Sequence, residues 1–391
     1  MNVVPVSNQQ FQTVETVKAE VLSFARDVQG ERLERSRRTA LSVEDFDRLR
    51  SIGYTLTGVP VERGGLWAGP RLSTRPYCDM LRAMAASDPS LALVSSMHPA
   101  VLVFWLEAAT NNHPPPVEFT RQTDAIFTAV ADGQWWGTIA SEPGSGGDLM
   151  ASRSIATAID GWDCRLTGDK HMGSGSGMTD VMLTVALPAG DEVPDVYFLN
   201  VANQPWDGTT GMTLVHEWDG FGMMATQSHA FRFDDFPVER FAWPGRALEV
   251  VPSVMPTILT FFNAVALGVL DAAMASAADI FNPGRAKRRS FERVAWVRAE
   301  NNYWLAEQAY AAGIHAIEQD MSPAMAVSRA KITIAELAAA CLDAIGDALG
   351  AKTFSRRLPF GQWGQDVKAL AHLRPPLALA FDQLYELEPT D

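Results

Sequence analysis

The 391-residue sequence predicts an α+β fold in three successive zones: a helical domain, a β-domain and a helical bundle. Three observations carry that prediction. Up to Ala131 the apolar residues recur at helical steps, between Trp135 and Trp243 they alternate in short segments, and after Pro252 long alanine-rich amphipathic stretches take over. The boundaries follow these changes of period and give domains over residues 1–133, 134–246 and 247–391.

In the first zone Val14, Val17, Val21, Leu22 and Phe24 stand on one helix face, and Ser42 has the character of an N-cap ahead of Val43. Gly64-Gly65 and the prolines at 114–116 interrupt these helices. In the second zone residues 156–159 and 162–166 flank Asp160-Gly161, which predicts a hairpin with a type I′ turn. Further strands are expected at 181–186, 196–201, 212–215 and 230–233, where Phe231 and Phe233 alternate with Ala230 and Arg232. In the third zone residues 258–280, 291–319 and 325–349 have the length and composition of bundle helices. The most apolar run, 254–270, contains Pro256 and Asn263 and is followed by Asp271. It suits a buried core helix better than a membrane span, so no membrane insertion is expected.

A formal net charge of −14 argues against a phosphate-backbone partner, and no nucleic acid is expected. A nucleotide cofactor stays open, because it needs only a few local donors. Cys78, Cys164 and Cys341 are far apart and odd in number, which gives neither a disulfide framework nor a metal spacing. A reducing cytoplasm is the natural compartment, and the polar N-terminus carries no visible signal peptide.

The densest local signal is Ser141-Glu-Pro-Gly-Ser-Gly-Gly-Asp148, directly after the strand-like Gly137-Thr-Ile-Ala140. Glycines at this density let a backbone approach a ligand and can turn several N–H groups into one anion-binding concavity; a tight surface turn is the alternative. In context the loop resembles the acyl-CoA dehydrogenases, whose β-domain carries Thr/Ser-Glu-Pro-Gly-x-Gly-Ser-Asp at this place. Gly168-Asp-Lys170, Ser174-Gly-Ser-Gly177, Gly220-Phe-Gly222 and Phe233-Asp-Asp-Phe-Pro-Val238 are similar to further segments of that family in the same order. Gly53, Val59-Pro60, Gly64-Gly65 and Ser87-Asp-Pro-Ser90 extend the likeness through the N-terminal zone, so that it covers nearly the whole chain.

The resemblance implies the acyl-CoA dehydrogenase fold, FAD as cofactor, and an acyl-CoA or other acyl-thioester substrate. In that chemistry a base removes the α-proton while the flavin takes the hydride. Ala140, Ser141, Gly146 and Gly147 would approach the flavin and its diphosphate. Ser174 stands where the family's threonine meets the reactive side of the ring, and Met172 where a tryptophan packs beside it. Lys287-Arg-Arg-Ser-Phe291 is similar to the segment that reaches the FAD of a neighbouring subunit, with Arg288 and Phe291 as its contacts. Gly350 lies near a turn that faces the cofactor across the same interface. A homodimer or homotetramer is thereby implied, although the basic cluster by itself reads as a solvated helix start.

The family's glutamate base is not in its place. Counting on from Gln365-Asp366 puts Arg374, within His372-Leu-Arg-Pro-Pro376, at that position, and the second known location falls near Ile258. A guanidinium stays protonated and is no base, but it can stabilise an anionic flavin or an enolate. A related branch of the fold dispenses with the glutamate: monooxygenases that receive reduced flavin from a partner reductase. That branch tends to carry histidines around the flavin, and His98 and His372 fall in suggestive places. His98 also lies among Leu91, Leu93, Val94, Val101 and Val103, so a core role is equally open. The first expectation is therefore a dehydrogenase with an atypical or relocated base, passing electrons to an electron-transfer flavoprotein, dioxygen or a reductase. A reduced-flavin monooxygenase comes second, and a flavin-binding subunit that needs a partner for activity third.

Overall fold

Helix α1 (Val14–Asp27) starts where Thr13 accepts the Thr16 N–H, and it buries the expected stripe Val17, Val21 and Phe24. The computed structural model, which describes residues 12–109, 114–373 and 375–387, continues with α2 (Arg32–Arg35), α3 (Val43–Ile52), α4 (Pro70–Ala85), α5 (Pro89–Ala108) and α6 (Val117–Ala131). Ser42 does precede α3, but its hydroxyl bonds the Glu44 carboxylate and caps no amide. The Ser87-Asp-Pro-Ser90 segment is the start of α5. Asp88 accepts the Leu91 N–H at 3.0 Å, and Pro89 takes the first position, where a missing N–H costs nothing. Asp88 and Asp45 together surround the buried Arg35 guanidinium.

The middle zone holds β1 (Trp136–Thr138), β2 (Ile155–Asp160), β3 (Asp163–Gly173), β4 (Val181–Pro188), β5 (Asp195–Asn200), β6 (Met212–His216) and β7 (His229–Arg240). Strands β4, β2, β3, β7 and β5 pair in that order, and β5 pairs back onto β4, which closes a barrel. Alternation then sorts the side chains. Tyr197 and Leu199 enter the barrel core, while Val196 and Phe198 pack outward with Trp105 and Phe119 of the helices. Two details depart from expectation. Asp160 pairs with Asp163, so the hairpin turn is Gly161-Trp162, and only Gly161 has positive φ; a type I′ turn needs both. Strand β7 runs on through Asp234-Asp235 and Pro237, because a left-handed Asp235 absorbs the irregularity opposite a register shift in β3.

The last zone contains α7 (Arg246–Phe281), α8 (Ser290–Gln319), α9 (Pro323–Leu349), α10 (Phe360–Ala371) and α11 (Leu377–Leu387). Helix α7 begins at Arg246 and not at 258, running through Pro252 and Pro256. Each proline removes one hydrogen bond to the carbonyl four residues back, and packing against α4, α5 and α9 carries the helix through. Residues of α1, α4 and α5 share a single apolar core with α7 to α10, so the two helical zones are not separate bodies. By length and composition, 89–108 and 246–287 are long and apolar enough to cross a membrane; 83% and 78% of an apolar 18-residue segment within each are buried inside the fold.

Candidate functional site

A cavity of about 320 Å³ lies where the barrel mouth meets α5 and α7. Helix α5 presents Leu93, Met97, Ala100 and Phe104 to it, and α7 presents Leu248, Val251, Met255, Ile258 and Phe262. Both sets recur at steps of three and four, so each helix turns one continuous apolar face to the cavity. The barrel contributes Thr138, Ala140, Ser141, Met172 and Ser174, and the end of α10 contributes Leu370 and His372. The expected site residues Ala140, Ser141, Met172, Ser174 and His372 are thus brought into one wall. Met172 gets there by a bulge: it has φ 59° inside the second register shift of β3, between Lys170 and Gly173, and is re-aimed out of the sheet. His372 sits exposed at the cavity edge, as the C-cap of α10.

The remaining polar wall is a turn that sequence reasoning did not single out, Met223 to Ser228. Met223 and Gln227 are both left-handed, at φ 53° and 49°, on either side of a 3₁₀ turn. Strain of this type persists only where the surroundings over-determine it. Here the Met223 N–H donates to the buried Asp366 Oδ1 at 2.7 Å, Gln362 Nε2 donates to the same oxygen at 2.8 Å, and Trp218 Nε1 donates to the Met223 carbonyl at 3.0 Å. Burial pushes the Asp366 carboxyl up to about 7 against those two hydrogen bonds. Gly222 lets the turn seat itself, since a Cβ there would lie 2.4 Å from the Gln365 carbonyl oxygen of α10. Thr226 and Ser228 line the cavity, and the Ser228 hydroxyl bonds those of both Thr226 and Ser174. The signal for them was faint: two small hydroxyl residues after Gly220-Phe-Gly222.

The glycine-rich loop proves to be held by its polar residues. Lys170 of β3 is fully buried and forms an ion pair with Glu142, which also accepts from Ser152 Oγ at 2.6 Å and the Arg153 amide at 2.7 Å. Burial raises the Glu142 carboxyl, but Lys170 and Ser152 outweigh it and hold the group down at about 2. The glutamate of the loop and the lysine of Gly168-Asp-Lys170 are one structural pair across the barrel rim. Several of the amides that an anion-binding loop would offer to a ligand are engaged inside the loop. The amides of Ser145, Gly147, Asp148 and Met150 all donate to acceptors within it, the Ser145 and Asp148 side chains included. Gly146 and Gly147 lie outside the cavity wall, and Gly147 abuts Pro376.

His98 is also outside that wall and fully buried. Its Nε2–H donates to the Thr55 carbonyl at 2.8 Å, and its Nδ1 accepts the Trp136 N–H at 3.0 Å. Burial pulls it down to about 4, so the ring is neutral and both nitrogens are occupied; the core role is the one the geometry supports. Arg288 donates to the carbonyls of Ile280 and Phe281 at 2.8 and 3.2 Å and lies over the Phe281 ring, capping its own α7. Phe291 is exposed on α8, and Gly350 closes α9 with φ 76°; neither reaches the cavity of its own chain. Arg374 lies outside the described residues. Among the described residues no group of three or more His, Cys, Asp or Glu could hold a metal ion.

A helical zone, a closed barrel and a bundle sharing its core with the first zone make up the acyl-CoA dehydrogenase fold, and the chain has that fold. Butyryl-CoA dehydrogenase from Megasphaera elsdenii superposes with a TM-score of 0.78 at 17% identity, over 99% of each chain. The nitrososynthase from Micromonospora carbonacea var. africana gives 0.79 at 20% identity, over 98% of this chain and 97% of that one. FMN-bound TdsC from Paenibacillus sp. A11-2 gives 0.78 at 18% identity, over 95% and 96%. In sequence, the chain is 26% identical over 232 residues to a probable FMNH2-dependent monooxygenase, SfnC of Pseudomonas putida, covering 58% of this chain and 52% of that protein. It is 27% identical over 218 residues to the amino sugar nitrososynthase DnmZ of Streptomyces peucetius, covering 54% and 49%. The chain spans about half the length of the curated relatives it matches. No family model matches the sequence.

Proposed function

We propose that the chain is a monooxygenase that takes reduced FMN from a separate flavin reductase and oxygenates a largely apolar substrate at nitrogen or sulfur. The observation that carries this reading is the make-up of the cavity wall. It consists of apolar side chains, hydroxyls and His372, with no carboxylate among the described lining residues. Acyl-thioester oxidation needs a base within reach of the α-proton, so this wall favours the second of the sequence expectations over the first. The names of the relatives, a monooxygenase and nitrososynthases, lend support.

The donor set suits a flavin ring. Two apolar helix faces oppose a strip of hydroxyls, in a volume at the lower end of the roughly 300–1,000 Å³ usual for small-molecule sites. When bound, reduced flavin supplies the two electrons that dioxygen activation needs. The chain's part is to keep water out with the α5 and α7 faces, to orient the ring with Ser141 and Ser174, and to move a proton at the His372 imidazole on the cavity edge. FMN is preferred to FAD because Arg288, expected to reach the FAD of a neighbouring subunit, is engaged in capping α7. We also infer a homodimer through α8, where Phe291, Val294, Val297, Trp304 and Leu305 are exposed at helical spacing.

The test pairs two assays. With a reductase, NADH, FMN and air, the protein is expected to oxygenate members of a panel of aromatic thioethers and amines, and His372→Ala to slow turnover by about 100-fold. Anaerobic titration of the flavin-loaded protein with acyl-CoA thioesters is expected to leave the visible flavin band unchanged. Bleaching by any saturated thioester would return the assignment to a dehydrogenase.

A further inference from the structure

One set of cavity hydroxyls has its protons assigned by geometry alone. Thr226 Oγ1 lies 2.9 Å from the Met223 carbonyl oxygen and 2.8 Å from Ser228 Oγ, and Ser228 Oγ lies 2.8 Å from Ser174 Oγ. Three close oxygen pairs need three protons, and the three hydroxyls hold three. The carbonyl has none, so the proton between it and Thr226 belongs to Thr226. Ser228 must then donate to Thr226, and Ser174 to Ser228. Reversing any link would leave two bare lone pairs within 3 Å of each other. The chain runs one way, out of the cavity and into the Met223 carbonyl. That end is fixed by the strained turn, by Asp366 on the Met223 amide and by Trp218 on its carbonyl. Thr138, bridged to Ser174 across the barrel rim, likewise donates inward, to the Leu183 carbonyl at 3.2 Å.

We propose that this one-way chain presents Ser174 to the cavity as a hydrogen-bond acceptor with no proton to give, so that the cavity selects the reduced form of its flavin over the oxidised form. The inference rests on the flavin reading above. Two-electron reduction turns a ring nitrogen from a lone-pair acceptor into an N–H donor. An acceptor-only wall bonds the reduced ring and faces the oxidised ring with oxygen lone pair against nitrogen lone pair. Ser228 and Thr226 act through Ser174 as positioning residues. This selection suits an enzyme that must capture reduced flavin released by another protein and let the oxidised product go.

The experiment measures, without oxygen, the dissociation constants of oxidised FMN and of chemically reduced FMN for the same protein. The wild type is expected to bind reduced FMN at least tenfold more tightly. Ser228→Ala frees the Ser174 proton to point into the cavity, and the ratio of the two constants is expected to fall about fivefold to tenfold. That equals a drop of about 20–30 mV in the midpoint potential of the bound flavin. Thr226→Val, a near-isosteric change that serves if Ser228→Ala fails to fold, is expected to lower the ratio too, and Thr226→Ser to keep it. A ratio unchanged within twofold in both Ser228→Ala and Thr226→Val, with flavin still bound, overturns the proposal, as does a wild-type preference for oxidised FMN. A wild type that binds neither redox state of FMN or FAD overturns the flavin reading itself, and this inference with it.

Discussion

At the scale of single residues, His98 shows how completely a polar group can be absorbed by a core. Its two partners are backbone groups 43 and 38 residues away, at Thr55 and Trp136. His98→Leu would orphan a buried carbonyl and a buried N–H, at an expected cost of about 2–4 kcal/mol. The pH sign follows from the ring's affinity for protons. The folded protein holds His98 down at about 4, below its ordinary 6.5, so the unfolded chain binds the proton more readily. Its contribution is complete above pH 6.5 and declines as the pH falls towards 4, by on the order of 3 kcal/mol in all. Urea denaturation at several pH values should show that decline in the wild type and a shallower one in His98→Leu. The apolar neighbours of His98 were legible in the sequence, but the two backbone partners were not, because one lies on a 3₁₀ turn and the other on β1, and only the tertiary fold brings them to the ring. The loop motif behaves the same way. Its glutamate and the distant lysine were visible separately, and only barrel closure makes them a pair.

At the scale of elements, the contact of α10 with the 223–228 turn sets the cavity's polar wall. Gly222→Ala would drive a methyl against the Gln365 backbone and push the helix off the turn. The expected result is a stability loss of about 1–3 kcal/mol together with weaker binding of reduced FMN, read by thermal melting and by anaerobic titration. An unchanged melting temperature would count against this close approach. Helices α8 and α9 were legible almost to the residue, starting at Ser290 and Pro323 where 291 and 325 were expected. Strand β7 and helix α7 were both expected to be shorter, and for one reason. Asp-Asp, Pro237, Pro252 and Pro256 are local stop signals, and here long-range packing on the neighbouring strands and helices overrides them.

At the scale of the whole molecule, the order of the zones was legible because each has its own period. The pairing of β7 with both β3 and β5 and the core shared by the two helical zones were not, since both depend on contacts far apart in sequence. The exposed α8 stripe belongs to this scale as well. Val297→Asp with Trp304→Asp is expected to lower the solution mass measured by light scattering from that of a dimer to that of a monomer, with the helical circular-dichroism signal retained. A wild type already monomeric at micromolar concentration would remove that interface.

The docking of α5 on α7 has a consequence for how the protein is made. The C-terminal carbonyl of α5, at Ala108, is capped by Arg246, the first residue of α7, 138 positions later. At about 5–20 residues per second, roughly 7–28 s separate the emergence of the two from the ribosome. During that interval a helix as apolar as a membrane span can pack only on α4 and the elements made before it, and the face it later turns to α7 stays uncovered until the second half arrives.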